Sequence, residues 1–93
     1  MKLVPVKQAQ AKILNAMADR SVSVLTLATF KKDRFLTLRR VGDDWQLEEQ
    51  GYTNAAMPLS PNAAGKRLIK EAFKREFPRS SKLYLTETKT SAS

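Results

Sequence analysis

Cysteine and histidine are both absent from this chain of 93 residues. Their absence excludes disulfides, thiolate nucleophiles, zinc sites with the usual ligands and histidine acid–base chemistry. Glycine is scarce, with three residues in all, and no Gly-rich loop of the kind that cradles phosphates in nucleotide-binding enzymes is present. We therefore expect a protein that is not an enzyme and that has no catalytic residues, no metal and no cofactor.

Long apolar runs are missing as well. A helix that spans a bilayer needs about 20 consecutive apolar residues, and the N-terminal segment reaches Lys7 and Gln8 too soon for the apolar region of a signal peptide. We expect a cytoplasmic protein with no membrane partner. Because 42% of the residues are hydrophobic, the chain can fold as one small domain, predicted at residues 1–86, with a disordered tail at 87–93.

Helical and β-type patterns alternate along the chain. Apolar spacing and proline positions predict helices at Val6–Asp19 and Pro61–Phe77, the second with Ser60 as its N-cap. The predicted strands are Ser21–Phe30, Phe35–Val41, Trp45–Gln50, a short edge strand near Met57–Leu59, and Lys82–Thr86. The order α-β-β-β-(β)-α-β predicts an α+β two-layer sandwich, in which two helices cover one face of an antiparallel meander of three to five strands.

Positive charge is the most prominent feature that is present. The net charge of the chain is +8, and residues 31–40 and 66–82 carry +4 and +5 of it, so that everything else sums to −1. A positive field concentrated in this way usually meets a polyanion, because neutralised phosphates release counterions to solvent. The leading hypothesis is a small non-catalytic domain that binds DNA or RNA mainly through phosphates.

The second predicted helix supplies the first candidate surface. Its basic side chains lie opposite the apolar arc, and three of its lysines are four residues apart, which aligns them along the helix. The candidate residues are Lys66, Arg67, Lys70 and Lys74. The alternative is a solvated helix face whose lysines keep the protein soluble.

A predicted basic hairpin supplies the second candidate surface. Lys31, Lys32 and Arg34 belong to its turn, and Arg39 lies on the strand that follows. Charged residues at a sheet edge also block strand addition, which is the alternative interpretation. Arginine is the better phosphate ligand, so the three arginines of this segment favour phosphate contact.

Aromatic residues and the segment after the second helix are weaker candidates. Phe30 and Phe35 flank the basic turn, and aromatic side chains on an open sheet face can stack on bases. A domain this small needs most of its aromatic side chains in the core, so we expect them there. Arg79–Lys82 combines cations with hydroxyls that could bind a phosphate, but a simple connector is the favoured interpretation.

Four carboxylates cluster in a stretch that has no basic residue. They are Asp43, Asp44, Glu48 and Glu49. Alternation along the predicted strand sends the two glutamates to opposite faces, so the four carboxylates are poorly placed to converge on one metal ion. The alternative function is a protein-interaction module or homodimer, with no nucleic-acid role, that uses this acidic segment against a basic partner.

The layout resembles that of double-stranded-RNA-binding domains and of the Alu-binding proteins of the signal recognition particle. The shared features are the α-β-β-β-α order and a basic second helix that begins Ala63-Ala64-Gly65-Lys66-Arg67. The first helix lacks an exposed acidic and glutamine pair where the RNA-binding domains have one, and a strand at Leu83–Leu85 does not belong to them. No functional residue is carried over from this resemblance.

Overall fold

The computed structural model describes residues 2–18, 22–42, 44–51, 54–60 and 62–89. Within these ranges the chain forms an α+β fold with two helices, α1 (Val6–Ala16) and α2 (Ala63–Glu76). The strands are β1 (Lys2–Pro5), β2 (Val22–Ala28), β3 (Phe35–Val41), β4 (Asp44–Gln50), β5 (Ala55–Leu59) and β6 (Lys82–Lys89).

The six strands form one antiparallel sheet in the order β1-β6-β2-β3-β4-β5. Strands β2 to β5 are a meander, as the short polar turns predict, whereas β6 returns from the end of the chain and pairs between β1 and β2. The register places Leu27 opposite Leu36 on one side and opposite Leu85 on the other. Both sheet edges, β1 and β5, are short strands.

Both helices lie on the same face of the sheet, which we call the covered face. Helix α1 packs on β1, β2 and β6, and α2 packs on β3 and β4. Strand alternation directs an apolar set to this face, and Ile13 and Ile69 meet it from the two helices. The core residues of the sheet include Leu25, Leu27, Leu36, Leu38, Leu47 and Leu83.

Local chemistry sets the helix ends. Helix α1 begins directly after Pro5, and the Val6 N–H donates to the Ser81 carbonyl at 2.9 Å, which ties it to the start of β6. At α2 the Asn62 side chain, not Ser60, is the N-cap, and it accepts a hydrogen bond from the Gly65 N–H at 3.1 Å. The helix ends two residues before Pro78, which cannot continue it.

The structure confirms the α+β class and corrects the strand count and order. The described residues form six strands instead of three to five, because β1 precedes α1. Lys2–Pro5 was not predicted because its four residues show no periodicity and pair only with a strand far away in the sequence.

Strand β6 is also longer than predicted. Glu87, Thr88 and Lys89 pair with β2 instead of belonging to a disordered tail. The predicted helix end at Asp19, strand start at Ser21 and helix start at Pro61 lie outside the described residues, as do tail residues 90–93.

Candidate nucleic-acid interface

The outer face of α2 carries a row of cations. Lys66, Arg67, Lys70 and Lys74 are all exposed, while Gly65, Ile69, Ala72 and Phe73 are buried on the other side of the helix. Within the described ranges, none of the four cations forms an ion pair. The three lysines occupy consecutive turns about 6 Å apart along the axis, a spacing comparable to that of successive phosphates along a strand. We call these four residues the α2 row.

The next cation of the helix, Arg75, has a structural role instead. Its Nε and Nη2 donate to the two carboxylate oxygens of Glu49 at 2.8 and 2.6 Å. Glu49 lies on the covered face and is 2% exposed. The hydrogen bonds from Arg75 hold the pKa of Glu49 below its ordinary value, and the same contact raises the pKa of Arg75. This pair fastens α2 to β4.

Thr29 organises the tip of the hairpin between β2 and β3. Its N–H donates to the Arg34 carbonyl at 3.1 Å, and its carbonyl accepts from the Lys32 N–H at 2.8 Å. Its hydroxyl donates to the Asp33 carboxylate at 2.6 Å and accepts from the N–H groups of Asp33 and Arg34. The hydroxyl contact lowers the pKa of Asp33. The tip is therefore held in one conformation by its own hydrogen bonds.

The basic residues of the tip do not all point to solvent. Lys31 and Lys32 are exposed, and the Lys32 ammonium lies 5.1 Å from the centroid of the Tyr84 ring. Arg34 is half-buried and turns toward α2, where its Nη1 donates to the Glu76 carbonyl at 3.4 Å. The tip is thereby held beside the C-terminal end of α2.

An open groove of about 650 Å³ lies between the hairpin tip and the segment that follows α2. Its lining includes Lys31 and Arg34 from the tip and Arg79 and Ser80 from that segment. The sequence favoured a simple connector for Arg79–Lys82, whereas the fold brings Arg79 to the same groove as the hairpin cations. This proximity depends on the return of the chain to the sheet and has no local sequence signal.

Arg39 is separated from the other predicted residues. It lies on the open face of the sheet, the face opposite the helices, and its Nε is 3.1 Å from Glu48 Oε1. The structure thus brings Lys31, Lys32 and Arg34 to one end of α2 and places the α2 row along that helix. Arg39 faces the other side of the molecule.

The acidic segment offers fewer free carboxylates than the sequence predicts. Glu49 is buried against Arg75, Glu48 is paired with Arg39, and Asp44 is exposed. Asp43 lies outside the described residues. In the part of the chain that the structure describes, no three carboxylates are grouped as a metal site would require.

The aromatic residues divide between the core and the surface. Trp45, Phe73 and Phe77 are buried, as expected, but Phe30 is 69% exposed. Phe35 and Tyr84 are half-buried on the open face, and Tyr52 lies outside the described residues. The prediction that the aromatic side chains lie in the core was wrong for Phe30. Its position beside a charged turn could have indicated exposure, because turn residues lie at the surface.

Comparisons with protein-family models, with curated proteins and with solved structures found no match. The layout resemblance to double-stranded-RNA-binding domains therefore receives no support from them, and the pairing of β6 between β1 and β2 departs from the α-β-β-β-α order that suggested it. No helix in the described ranges is long and apolar enough to cross a membrane.

Proposed function

We propose that this chain is a small non-catalytic domain that binds DNA or RNA mainly through phosphates. The observation that supports this most strongly is the α2 row, whose four exposed cations have no carboxylate partner in the described part of the chain. Packing alone does not require four such cations on one face. A phosphate backbone that neutralises them releases its condensed counterions, which is the main source of affinity in non-specific nucleic-acid binding.

The hairpin tip extends this basic surface beyond the end of α2. The last carbonyls of a helix carry partial negative charge, which would repel a phosphate. Arg34 donates to one of them, at Glu76, and Lys31, Lys32 and Arg79 add exposed cations around the same end. A backbone that follows the α2 row would therefore meet further positive charge at its end.

Arg39 is assigned a structural role in this proposal. Its guanidinium is paired with Glu48 on the face away from α2, so it is not part of the α2 row. Exposed pairs of this kind contribute little to stability, about 0 to 1 kcal/mol.

Fluorescence anisotropy with labelled single- and double-stranded DNA and RNA tests the proposal. We expect micromolar or tighter binding at about 50 mM salt that weakens by about 10²-fold or more at about 200 mM salt, because several phosphate contacts are lost together. Absence of binding to every probe at the lower salt would show that the domain does not bind nucleic acid.

A pair of charge-reversed variants locates the surface. Lys70→Glu/Lys74→Glu removes half of the α2 row, and Lys7→Glu/Lys12→Glu makes the same exchange at exposed lysines of α1. Each exchange lowers the net charge by two, so both double variants carry +4 instead of +8. We expect the α2 variant to lose at least tenfold more affinity than the α1 variant. Equal losses would mean that overall charge, and not the α2 row, determines binding.

The second candidate function is a protein-interaction module or homodimer. It is favoured by the edge strand β5 and by an apolar surface beside it, where Val41 is 52% exposed and lines a groove of about 240 Å³ with Met57 and Pro58. Light scattering after gel filtration, without nucleic acid and at low and high salt, distinguishes this candidate. A stable dimer that Val41→Asp disrupts would favour it.

A further inference from the structure

We propose that the hairpin tip and the adjacent end of the open sheet face stack on unpaired bases, so that the nucleic acid bound is single-stranded. This inference rests on the proposed function, because it names the substrate class of the same basic domain. The site consists of Phe30, Tyr84 and Lys32, with Phe35 and Lys82 beside them.

The open face is the first observation. Both helices pack on the covered face, so within the described ranges no helix lies over the side chains of the other face. At the end of the sheet nearest the hairpin tip, the register aligns Leu3, Tyr84, Ala28 and Phe35 in one row across four strands. The next row is polar, with Thr86, Thr26 and Thr37 side by side. An apolar and aromatic strip therefore ends at the tip.

The aromatic pair at the tip is the second observation. The Phe30 and Tyr84 rings are nearly parallel, at 15°, with centroids 6.1 Å apart, which is the offset arrangement that aromatic rings prefer. Phe30 is nevertheless 69% exposed, so much of its ring faces solvent. The exposed ring presents a flat platform of the kind on which bases stack.

The third observation is the rigidity of the tip that presents this ring. The Thr29 hydroxyl donates to the Asp33 carboxylate and accepts from the N–H groups of Asp33 and Arg34, which closes the loop. Lys32 has a φ of 58°, a left-handed conformation that lysine rarely adopts and that the neighbouring contacts maintain. Because the tip is ordered before any ligand arrives, stacking on Phe30 costs little conformational entropy.

The positive charge around the Phe30 and Tyr84 rings indicates which class of ligand binds there. Lys32 lies over the Tyr84 ring, Lys31 is exposed on the tip, and Lys82 shares the open face with Tyr84 by strand alternation. Asp33 adds one negative charge to the tip, where its carboxylate accepts a hydrogen bond from the Thr29 hydroxyl, so the three lysines leave a net positive charge around the platform. An aromatic platform with lysines around it fits a base together with its phosphate. A partner with a purely apolar surface would leave these cations without a counterion.

Duplex nucleic acid does not fit this platform. Bases inside a duplex are already stacked on their neighbours, so their faces are not available to Phe30 unless the helix is opened. Unpaired bases present their faces, and stacking of this kind tolerates any sequence. The expected ligand is therefore a single strand with little sequence preference.

The test measures single-strand and duplex binding by anisotropy for four proteins, which are the wild type, Phe30→Ala, Phe30→Leu and Val41→Ala. Val41 is the matched control because it is an exposed apolar residue of the same open face, at the other end of the sheet. We expect Phe30→Ala and Phe30→Leu to weaken single-strand binding by roughly 10- to 100-fold and to leave duplex binding unchanged, and we expect Val41→Ala to bind as the wild type does. Because Phe30 is exposed, we expect its variants to fold as the wild type does, and circular dichroism verifies this.

A tryptophan at the tip gives a direct reading of stacking. The one natural tryptophan, Trp45, is 4% exposed on the covered face, so its emission serves as the baseline. Phe30→Trp should bind a single strand at least as tightly as the wild type, and its additional emission should be quenched when the oligonucleotide is added. A duplex should not quench it.

The outcomes separate this inference from the proposed function. If the wild type binds nucleic acid but the Phe30 variants bind single strands normally and Phe30→Trp is not quenched, the platform is not a base-stacking site, while the α2 row remains the phosphate surface. If the wild type binds no probe, both proposals are wrong. If Phe30→Ala converts a dimer to a monomer without altering oligonucleotide affinity, the platform is an interface between copies of this chain and the inference is overturned.

Discussion

The two faces of the sheet are built from the same strands but have different chemistry. In β3 the side chains of Leu36 and Leu38 are fully buried beneath the helices, whereas those of Thr37 and Arg39 point away from them. The covered face is mainly apolar, but it also carries the buried Glu49, together with Arg40, whose guanidinium lies 4.9 Å from the centroid of the Trp45 ring. The open face carries threonines, partly exposed aromatic rings and a surface ion pair. One face stabilises the domain, and most of the described side chains of the other are partly exposed.

The neighbours Glu48 and Glu49 show the same difference for charge. Each pairs with an arginine, but Glu48 does so on the open face and Glu49 on the covered face, where it accepts two hydrogen bonds from Arg75. A buried carboxylate must be paired, because an unpaired one would lose its hydration without compensation. Charge on the covered face is thus used internally, whereas the α2 row forms no ion pair within the described residues.

Truncation of adjacent residues should show the largest contrast between the faces. Leu38→Ala should lower the free energy of unfolding by about 2–5 kcal/mol, because it leaves a cavity under the helices. Thr37→Ala should lower it by less than about 1 kcal/mol. Urea denaturation followed by circular dichroism measures both. Similar losses would show that the open face is also buried, as it would be in an assembly of several chains.

Replacement of Glu49 or Glu48 should lower the free energy of unfolding by less than Leu38→Ala does. At pH 7, Glu49→Gln should cost about 2 kcal/mol, since it breaks a buried charge-assisted contact, and Glu48→Gln less than about 1 kcal/mol. The pKa of Glu49 lies below its ordinary value of 4.5 because Arg75 donates to it. Its stabilising contribution is therefore present above about pH 4.5 and is lost as the pH falls through the lowered pKa.

The pH dependence supplies the control for that measurement. The difference in unfolding free energy between the wild type and Glu49→Gln should shrink when the denaturation is repeated near pH 3, because Glu49 binds a proton in the unfolded chain at a higher pH than in the folded chain, where Arg75 lowers its pKa. A difference that stays constant from pH 7 to pH 3 would mean that the charge of Glu49 is not what stabilises the fold.

The smallest change in stability is expected at the hairpin tip. Lys32→Gly removes the cost of about 1–2 kcal/mol that a left-handed residue carries, and it also removes a cation–π contact worth about 0.5–1 kcal/mol. We expect the stability to change by less than about 1 kcal/mol, while single-strand affinity falls several-fold. Thermal unfolding and anisotropy test this together. A large loss of stability would show that Lys32 holds the tip in its conformation instead of contacting the bound nucleic acid.

Residues with strong local patterns were predicted well. The bounds of β3 are those that the sequence predicts, and the alternation of Trp45, Gln46, Leu47 and Glu48 is as expected. Strand β1 and the extension of β6 to Lys89 were missed, because each depends on pairing between distant segments and not on local periodicity. Of the candidate site, the α2 row was found from helical spacing, but the exposure of Phe30 and the position of Arg79 were not.

The sequence by itself determined the class of the fold, the meander, the amphipathic helices and the surplus of positive charge. These properties depend on residues that are close together in the chain, where periodicity and turn chemistry act. The tertiary structure decided that β6 lies between β1 and β2, that Arg75 pairs with Glu49, and that the rings of Phe30 and Tyr84 stack beside the open face. These contacts join residues far apart in sequence, so their formation depends on how the whole chain packs and has no local signal to reveal it.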